Sequence, residues 1–271
     1  MDIGLLKEIL AIPTYFGVEI KVKEFLVKYF KSKNYQYHFD AIGNLYAQKG
    51  NAEYFPCVCA HMDSVHKSHV ELIENNWSKE IVEDEGWLYA IHPQTKKRMG
   101  LGADDLAGIY LCLEMFDRVD NLKGAFFIQE EYGIRGAREC DENFLKDVGY
   151  FIEFDGPTNN WYSQTLQFSN IYSEEFHCLV EDILKRHGIT NFSHDPYTDI
   201  AVVKDKFNVC SCNLPAGYFY WHTDNEYLDL SHIDNHILLG FEFLKRLGEK
   251  RFELNKQEDS IKTNIMEFCF K

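Results

Sequence analysis

The sequence lacks the features that would place the protein in a membrane, on nucleic acid or outside the cell. Its apolar runs are far shorter than the roughly 20 residues of a membrane-spanning helix, and no N-terminal segment has the parts of a signal peptide. It has no dense run of lysine and arginine, and its formal net charge is −15. Because clustered cations bind a phosphate backbone, nucleic acid is not an expected partner. We expect a soluble, cytoplasmic protein without a membrane partner.

The chain also lacks proline- or serine-rich linkers, internal repeats and low-complexity tracts. We therefore predict a single catalytic domain over residues 1–271, whose 45% hydrophobic content supplies a substantial core. The eight cysteines include two alternating pairs, Cys57 with Cys59 and Cys210 with Cys212. In a strand each pair points to one face, which favours buried free thiols over disulfides or a zinc knuckle.

The apolar periodicity predicts strands that alternate with helices. Fully apolar short runs predict buried strands, and apolar residues three or four apart predict helices. The predicted strands are 35–39, 44–47, 55–60, 124–129, 149–154 and 207–214, and the predicted helices are 3–10, 18–30, 103–119, 173–187 and 234–247. A peripheral hairpin is predicted around Glu85-Gly86, and the tail 249–271 has no assigned structure. This order predicts an α/β fold with a mostly parallel central sheet flanked by helices.

Acidic residues and histidines come directly after three of the predicted buried strands. They are His61, Glu130 with Glu131, and Asp155. The carboxyl ends of parallel strands gather at one edge of a sheet, where α/β proteins bind ligands. Each group alone has an ordinary explanation, such as a buried histidine, a solvated turn or a β-turn. Their shared position indicates one site.

The residue types in these groups match a pair of divalent metal ions. Zinc accepts imidazole nitrogen and carboxylate oxygen, and two ions about 3.5–4 Å apart share a bridging carboxylate and a water. Asp104, at the start of a predicted helix, is the predicted bridge. We assign His61 and Asp155 to one ion, and Glu131 and His222 to the other.

Three further acidic residues have predicted roles beside the metals. Glu130 is left without a metal, so it is the predicted general base that takes a proton from the bridging water. Asp63 lies two residues after His61 and is predicted to accept the second imidazole proton, which sets the tautomer. Asp105 is a candidate to serve the other metal-bound histidine, or a substrate amine, in the same way.

Four segments resemble the co-catalytic zinc exopeptidases, the group of peptidase T, the carboxypeptidase G type enzymes and the bacterial leucyl aminopeptidases. Their order and spacing agree with the group across nearly the whole chain. They are Ala60-His61-Met62-Asp63-Ser64, Gly102-Ala103-Asp104-Asp105-Leu106-Ala107-Gly108, Glu130-Glu131-Tyr132-Gly133-Ile134-Arg135-Gly136-Ala137 and Phe154-Asp155-Gly156. The resemblance implies the three-layer zinc exopeptidase fold, two zinc ions per chain with cobalt or manganese as alternatives, and a cis peptide bond between Asp104 and Asp105.

The resemblance also decides which histidine is the last metal ligand. The segment His222-Thr223-Asp224-Asn225-Glu226 resembles the His-Ser/Thr-x-x-Glu signature of the group, and it implies that Glu226 supports the site. The other candidates are His194, His232 and His236, of which the last two lie in or near the predicted final helix.

The chain departs from part of this group in length. The peptidase T and carboxypeptidase G type enzymes insert a lid or dimerisation domain after the position of Asp155. Here only 66 residues separate Asp155 from His222, and they read as ordinary α/β elements. The layout is closer to the single-domain aminopeptidases, and it leaves the oligomeric state open.

The predicted function is that of a zinc-dependent exopeptidase acting on small peptides. We favour an aminopeptidase, because an acidic site mouth attracts a free α-ammonium group more than a carboxylate. A carboxypeptidase, a dipeptidase or an N-acyl amino acid deacylase could use the same site. The alternatives of another class are a glutaminyl-cyclase-like transferase with one zinc ion and a non-catalytic binding protein. A binding protein has no use for the unligated carboxylate of Glu130.

Overall fold

The computed structural model describes residues 1–166, 169–195 and 198–254. The helices in these ranges are α1 Ile3–Leu10, α2 Ile20–Lys33, α3 Ser68–Glu74, α4 Ala103–Arg118, α5 Arg135–Arg138, α6 Glu142–Leu145, α7 Glu174–Arg186, α8 Asp199–Phe207 and α9 Leu230–Leu247. The strands are β1 Gln36–Phe39, β2 Leu45–Lys49, β3 Phe55–His61, β4 Glu80–Asp84, β5 Trp87–Ile91, β6 Arg98–Met99, β7 Leu122–Phe127, β8 Val148–Gly156, β9 Trp161–Leu166, β10 Ser169–Asn170, β11 Asn191–Asp195, β12 Ser211–Pro215, β13 Tyr218–Phe219 and β14 Tyr227–Asp229. Residues 255–271, most of the tail without a predicted structure, lie outside the described ranges. Within those ranges, no helix has both the length and the apolar character needed to cross a bilayer.

The central sheet has six strands in the order β1-β2-β7-β3-β8-β12. Strands β7, β3, β8 and β12 run parallel to one another, and β2 pairs with β7 in the antiparallel direction. Every residue of β3 and of β7 is buried, because both faces of a parallel sheet are covered by helices. The predicted α/β class with a largely parallel central sheet is confirmed.

Helices cover both faces of this sheet, as the alternation of side chains along β8 shows. On one face, the ring of Phe151 contacts Phe207 of α8 with 6.0 Å between centroids. On the other face, Phe154 packs against Gly240 of α9, where a Cβ atom would lie 2.6 Å from the phenyl ring. Helix α4 packs on β3 and β8 and also contacts α9. The fold therefore has three layers, and α4 lies directly over the strands that end at the candidate site.

Two smaller sheets lie outside the central one. The predicted hairpin is confirmed: β4 and β5 pair with Asp84 opposite Trp87, and the intervening Glu85 and Gly86 both have positive φ. Two consecutive positive-φ residues make the turn that matches the twist of paired strands. Strands β6, β14 and β13 extend this sheet, and β10, β9 and β11 form the third sheet.

The predicted strand 207–214 is wrong in its first half. Phe207 is the last residue of α8, and the strand β12 begins at Ser211. Asn208, at φ 52°, ends the helix in the left-handed conformation that asparagine tolerates. The apolar residues on both sides of this break read as one run, and the predictions therefore missed α8.

Candidate active site

The first candidate metal group joins the ends of β3 and β8 to the start of α4. His61 is the last residue of β3, Asp155 is near the end of β8, and Asp104 lies in the first turn of α4. His61 Nε2 is 3.0 Å from Asp104 Oδ1 and 3.7 Å from Asp155 Oδ1. One ligand atom of each residue lies within 4.8 Å of the others. The three residues can hold one metal ion.

The second candidate metal group shares Asp104 with the first. His222 Nε2 lies 2.9 Å from Glu131 Oε1 and 3.2 Å from Asp104 Oδ2. Asp104 thus directs one carboxylate oxygen toward His61 and the other toward His222. The structure brings all five predicted ligands together, with Asp104 between the two groups.

Glu130 and Glu131 are held in place by their backbone amides. The chain leaves β7 through Gln129 at φ 52°, and Asp63 accepts hydrogen bonds from Glu130 N (3.0 Å) and Glu131 N (3.1 Å). Asp63 Oδ1 also lies 3.4 Å from Nδ1 of His61, a buried atom with no hydrogen bond in the described part of the chain. Asp63 therefore orients both glutamates in addition to facing the imidazole.

The carboxylates of this site repel one another. Burial, and next the charge of Asp104, raise the pKa of Asp155 to about 7. Burial also raises the pKa of Glu130 well above its usual value, and that of Glu131. Hydrogen bonds to Asp104 and Glu131 raise the pKa of His222 to about 10. Burial alone would raise the pKa of Asp104 as well, but the hydrogen bonds from His222 and His61 bring it well below its usual range.

These donor types fit divalent metal ions. Imidazole nitrogen and carboxylate oxygen are zinc ligands, and a divalent cation would relieve the repulsion among buried carboxylates. We call these residues the acidic site: His61, Asp104, Glu130, Glu131, Asp155 and His222. Glu130 also forms a candidate group with His61 and Glu131, so its carboxylate lies close to the first metal position.

The acidic site opens into a cavity of about 590 Å³. Acidic and aromatic side chains make up much of its lining, and the described lining residues include no lysine or arginine. They are Asp104, Glu130, Glu131, Gly133, Ile134, Asp155, Pro157, Trp161, Asn213, Tyr218, Trp221 and His222.

The two supporting residues predicted from the sequence lie beneath the acidic site. Asp105 is fully buried and accepts hydrogen bonds from His61 N and Gly108 N, both at 3.1 Å. It therefore supports His61 through the backbone, and it neither contacts His222 nor lines the cavity. Glu226 accepts hydrogen bonds from Gly102 N at 2.7 Å and Asp104 N at 3.1 Å. The peptide bond between Asp104 and Asp105 is cis, as expected.

Three basic residues that the sequence reasoning missed complete this support. His66 Nε2 lies 2.8 Å from Glu226 Oε2, and His69 Nε2 lies 2.8 Å from the carbonyl oxygen of Gly100. Lys79 donates to the carbonyl oxygen of Leu101, and burial lowers its pKa to about 7. We call Glu226, His66, His69 and Lys79 the Glu226 cluster. The sequence feature that could have indicated this support is the pair of histidines, His66 and His69, shortly after His61.

The other candidate histidines do not join the acidic site in the part of the chain that the structure describes. His236 is buried in α9, and its Nε2 lies 3.3 Å from the carbonyl oxygen of Asn159. His232 is half-exposed, 3.8 Å from Asp229. The side chain of His194 lies outside the described residues.

No protein-family model matches this sequence, and no curated protein matches it. Several solved peptidase structures nevertheless share its fold. A tripeptidase from Staphylococcus aureus has a TM-score of 0.70 at 14% identity, over 90% of this chain and 96% of that chain. Aminopeptidase PepT from Bacillus cereus has a TM-score of 0.69 at 12% identity, over 90% of this chain and 97% of that chain.

An aminopeptidase from the archaeon Desulfurococcus kamchatkensis has a TM-score of 0.67 at 15% identity, over 89% of this chain and 93% of that chain. Likeness at such low identity establishes the fold alone. The resemblance to the zinc exopeptidases is thus confirmed at the level of fold, and this chain has the fold of these tripeptidase and aminopeptidase structures.

Proposed function

We propose that this protein is a dinuclear zinc aminopeptidase that hydrolyses small peptides. The observation that carries the proposal is the pair of candidate metal groups that share Asp104: His61 with Asp155 on one side, and Glu131 with His222 on the other. A fold in common with peptidases supports the reaction class.

Glu130 is the residue that moves the proton. Zinc ions held by the five candidate ligands would polarise a scissile carbonyl and lower the pKa of a water molecule toward neutrality. The carboxylate of Glu130 takes the proton from the attacking water and delivers it to the leaving amine. Burial raises the pKa of Glu130, which makes it a stronger base than an exposed glutamate. Asp63 holds the backbone amide of Glu130 and thereby fixes the position of the base.

The charge of the cavity favours an aminopeptidase over a carboxypeptidase. Among its described lining residues, carboxylates are present while lysine and arginine are absent. With zinc bound, the charges of Asp104, Glu131 and Asp155 are balanced, and Glu130 is the unligated carboxylate that can pair with a free α-ammonium group. The described lining offers no lysine or arginine to a terminal carboxylate. An N-acyl substrate has no ammonium group, so it has no such electrostatic attraction to the cavity lining. The same geometry therefore disfavours a deacylase.

The test pairs a variant of the base with a matched surface variant. Glu130→Gln should retain two zinc ions per chain and lose about 10²–10⁴-fold of kcat on aminoacyl-nitroanilides, the range typical of a lost general base. Glu139→Gln changes the same residue type on the surface, where Glu139 pairs with Arg135, and should leave both quantities unchanged. Zinc is counted by atomic spectroscopy, and turnover by absorbance.

Three results would each contradict a different part of the proposal. Wild-type turnover by Glu130→Gln would show that the base is wrong. One zinc ion per chain at full occupancy would favour the transferase alternative. Faster hydrolysis of N-acetylated amino acids than of free-amine substrates would favour a deacylase.

A further inference from the structure

We propose that the N-terminal residue of the substrate carries a large apolar side chain, which is received by an apolar wall of the acidic-site cavity. The apolar wall consists of Ile134, Pro157, Trp161 and Trp221. This inference rests on the proposed function, because it takes the acidic site as the place where the peptide bond is cut.

The first step concerns the space left inside the cavity. An aminopeptidase substrate places its α-ammonium group at carboxylates and its scissile carbonyl at the metal positions and Glu130. Both main-chain ends of the N-terminal residue are then occupied by polar groups of the acidic site. Its side chain remains in the same cavity, where the apolar wall makes up most of the lining that is left, beside Gly133, Asn213 and Tyr218. The leaving part of the peptide has no such restriction, since it extends away from the site.

The second step concerns the contacts between the apolar wall and the acidic site. Trp221 directly precedes His222, and its ring meets Tyr218 edge-on with 6.4 Å between centroids. The hydroxyl of Tyr218 donates to Asp155 Oδ1 at 3.1 Å. Tyr218 thus lies between Trp221, one residue of the wall, and Asp155, a candidate metal ligand.

The third step concerns the chemistry that this wall accepts. A charged side chain placed against tryptophan, proline and isoleucine loses hydration without gaining a partner, and an acidic one is also repelled by the unligated carboxylate of Glu130, which lines the same cavity. The volume of about 590 Å³ lies within the range of about 300–1,000 Å³ of small-molecule sites. Trp161 also lines a neighbouring cavity of about 450 Å³ whose described lining residues carry no charge. Large apolar side chains are therefore the class that this site selects.

The wild-type holoenzyme provides the first test, with a panel of Leu, Phe, Ala, Lys and Glu 4-nitroanilides. We expect kcat/KM for Leu or Phe to exceed that for Ala by at least about tenfold, the effect of filling an apolar pocket. We expect Glu to be the poorest substrate. Equal values across the panel, or a preference for Lys or Glu, would overturn the inference. Zinc-loaded protein that hydrolyses no member of the panel would contradict the proposed function itself.

Two tryptophan variants with a matched control provide the second test. Trp161→Ala should lower the Phe-to-Ala ratio of kcat/KM by about tenfold, and Trp221→Ala, at a residue that is 39% exposed, should lower it in the same direction. Trp87→Ala removes an equally large ring that is 47% exposed and stacked on Tyr227 outside the cavity, and should leave the ratio unchanged. If circular dichroism shows that Trp161→Ala does not fold, the Phe-to-Ala ratio of kcat/KM for Trp221→Ala tests the inference. An unchanged ratio in the folded variants would overturn the assignment of the wall.

Discussion

Two buried polar clusters meet at residues 100–105, and they differ in their balance of charge. The acidic site has four carboxylates that share the imidazoles of His61 and His222, and burial together with the charge of Asp104 raises the pKa of Asp155 and of Glu131. The Glu226 cluster has one carboxylate and three basic side chains, each of which is hydrogen-bonded to the loop or to another member. A buried carboxylate without enough cations is costly, so the acidic site is built for a ligand that supplies positive charge. The Glu226 cluster is complete without a ligand, and its role is to hold the loop that carries Asp104.

Removal of zinc is expected to have the largest effect, because the acidic site has an excess of buried carboxylates and the Glu226 cluster does not. At free zinc about 1,000 times its dissociation constant, binding adds about 4 kcal/mol to the free energy of unfolding. Thermal unfolding with zinc and with a chelator measures this difference. Asp155→Asn should lose the stabilisation by zinc, while its zinc-free form should be at least as stable as zinc-free wild type, because one repelling charge is gone. Equal stability of the wild type with and without zinc would show that the acidic site, like the Glu226 cluster, is not stabilised by a bound cation.

The next largest effect concerns His236, a buried imidazole that belongs to neither cluster and serves as a reference. Burial lowers its pKa from 6.5 to about 4. Between these pH values the imidazole of His236 binds a proton in the unfolded chain but not in the folded chain. The contribution of His236 to the free energy of unfolding is therefore lost as the pH falls from about 6.5 toward 4, and it is constant above that window. The loss amounts to about 3 kcal/mol.

His236→Gln isolates this contribution, because glutamine keeps a donor for the carbonyl oxygen of Asn159 and does not titrate. Urea unfolding from pH 4.5 to 7.5, with a chelator present in both proteins, should show a shallower acid slope for the variant. Identical slopes would show that His236 does not contribute to the acid sensitivity.

The smallest effect is expected from the supporting cluster. Glu226→Gln retains one acceptor oxygen but places an amide NH₂ group against the backbone N–H of Gly102 or Asp104. We expect zinc affinity to fall about 10–100-fold, as for other residues that orient metal ligands. A competition titration with a zinc chelator measures it, and Glu80→Gln, at a half-exposed residue of the hairpin, is the control. Unchanged affinity in Glu226→Gln would mean that the loop holds its shape without the Glu226 cluster.

The central layer of the fold was predictable because its signals are local. The run 55–60 is continuously apolar, the run 149–154 is interrupted by Glu153, and both lie in strands of the parallel sheet. The hairpin followed from Glu85 and Gly86. By contrast, α8 was missed because Phe207 at its end and the apolar residues of β12 read as one apolar run. Asn208 ends the helix inside that run, and a single asparagine does not divide the run in the sequence.

The candidate ligands were predictable for a similar reason, since each closes an apolar run or opens a helix. The partners of these ligands were not. His66 and Glu226 are 160 positions apart in the sequence, so neither residue indicates the other. Asp105 was predicted to accept a proton from a second histidine. Whether it can do so depends on the direction of its side chain, which is set by the packing of α4 on β3. The place of Trp161 in the cavity likewise depends on β9, which no apolar run predicted.

The hydrogen bonds of Glu226 to the loop have a consequence for when the site forms during folding. The bond from Asp104 N spans 122 residues and the contact with His66 spans 160. Closing loops of this length costs chain entropy that must be met before the contact forms, so long-range pairings of this kind form late. A chain that ends before residue 222 holds four of the five candidate ligands, without His222 and without the carboxylate of Glu226 that orders Asp104. The five candidate ligands therefore come together near the end of folding.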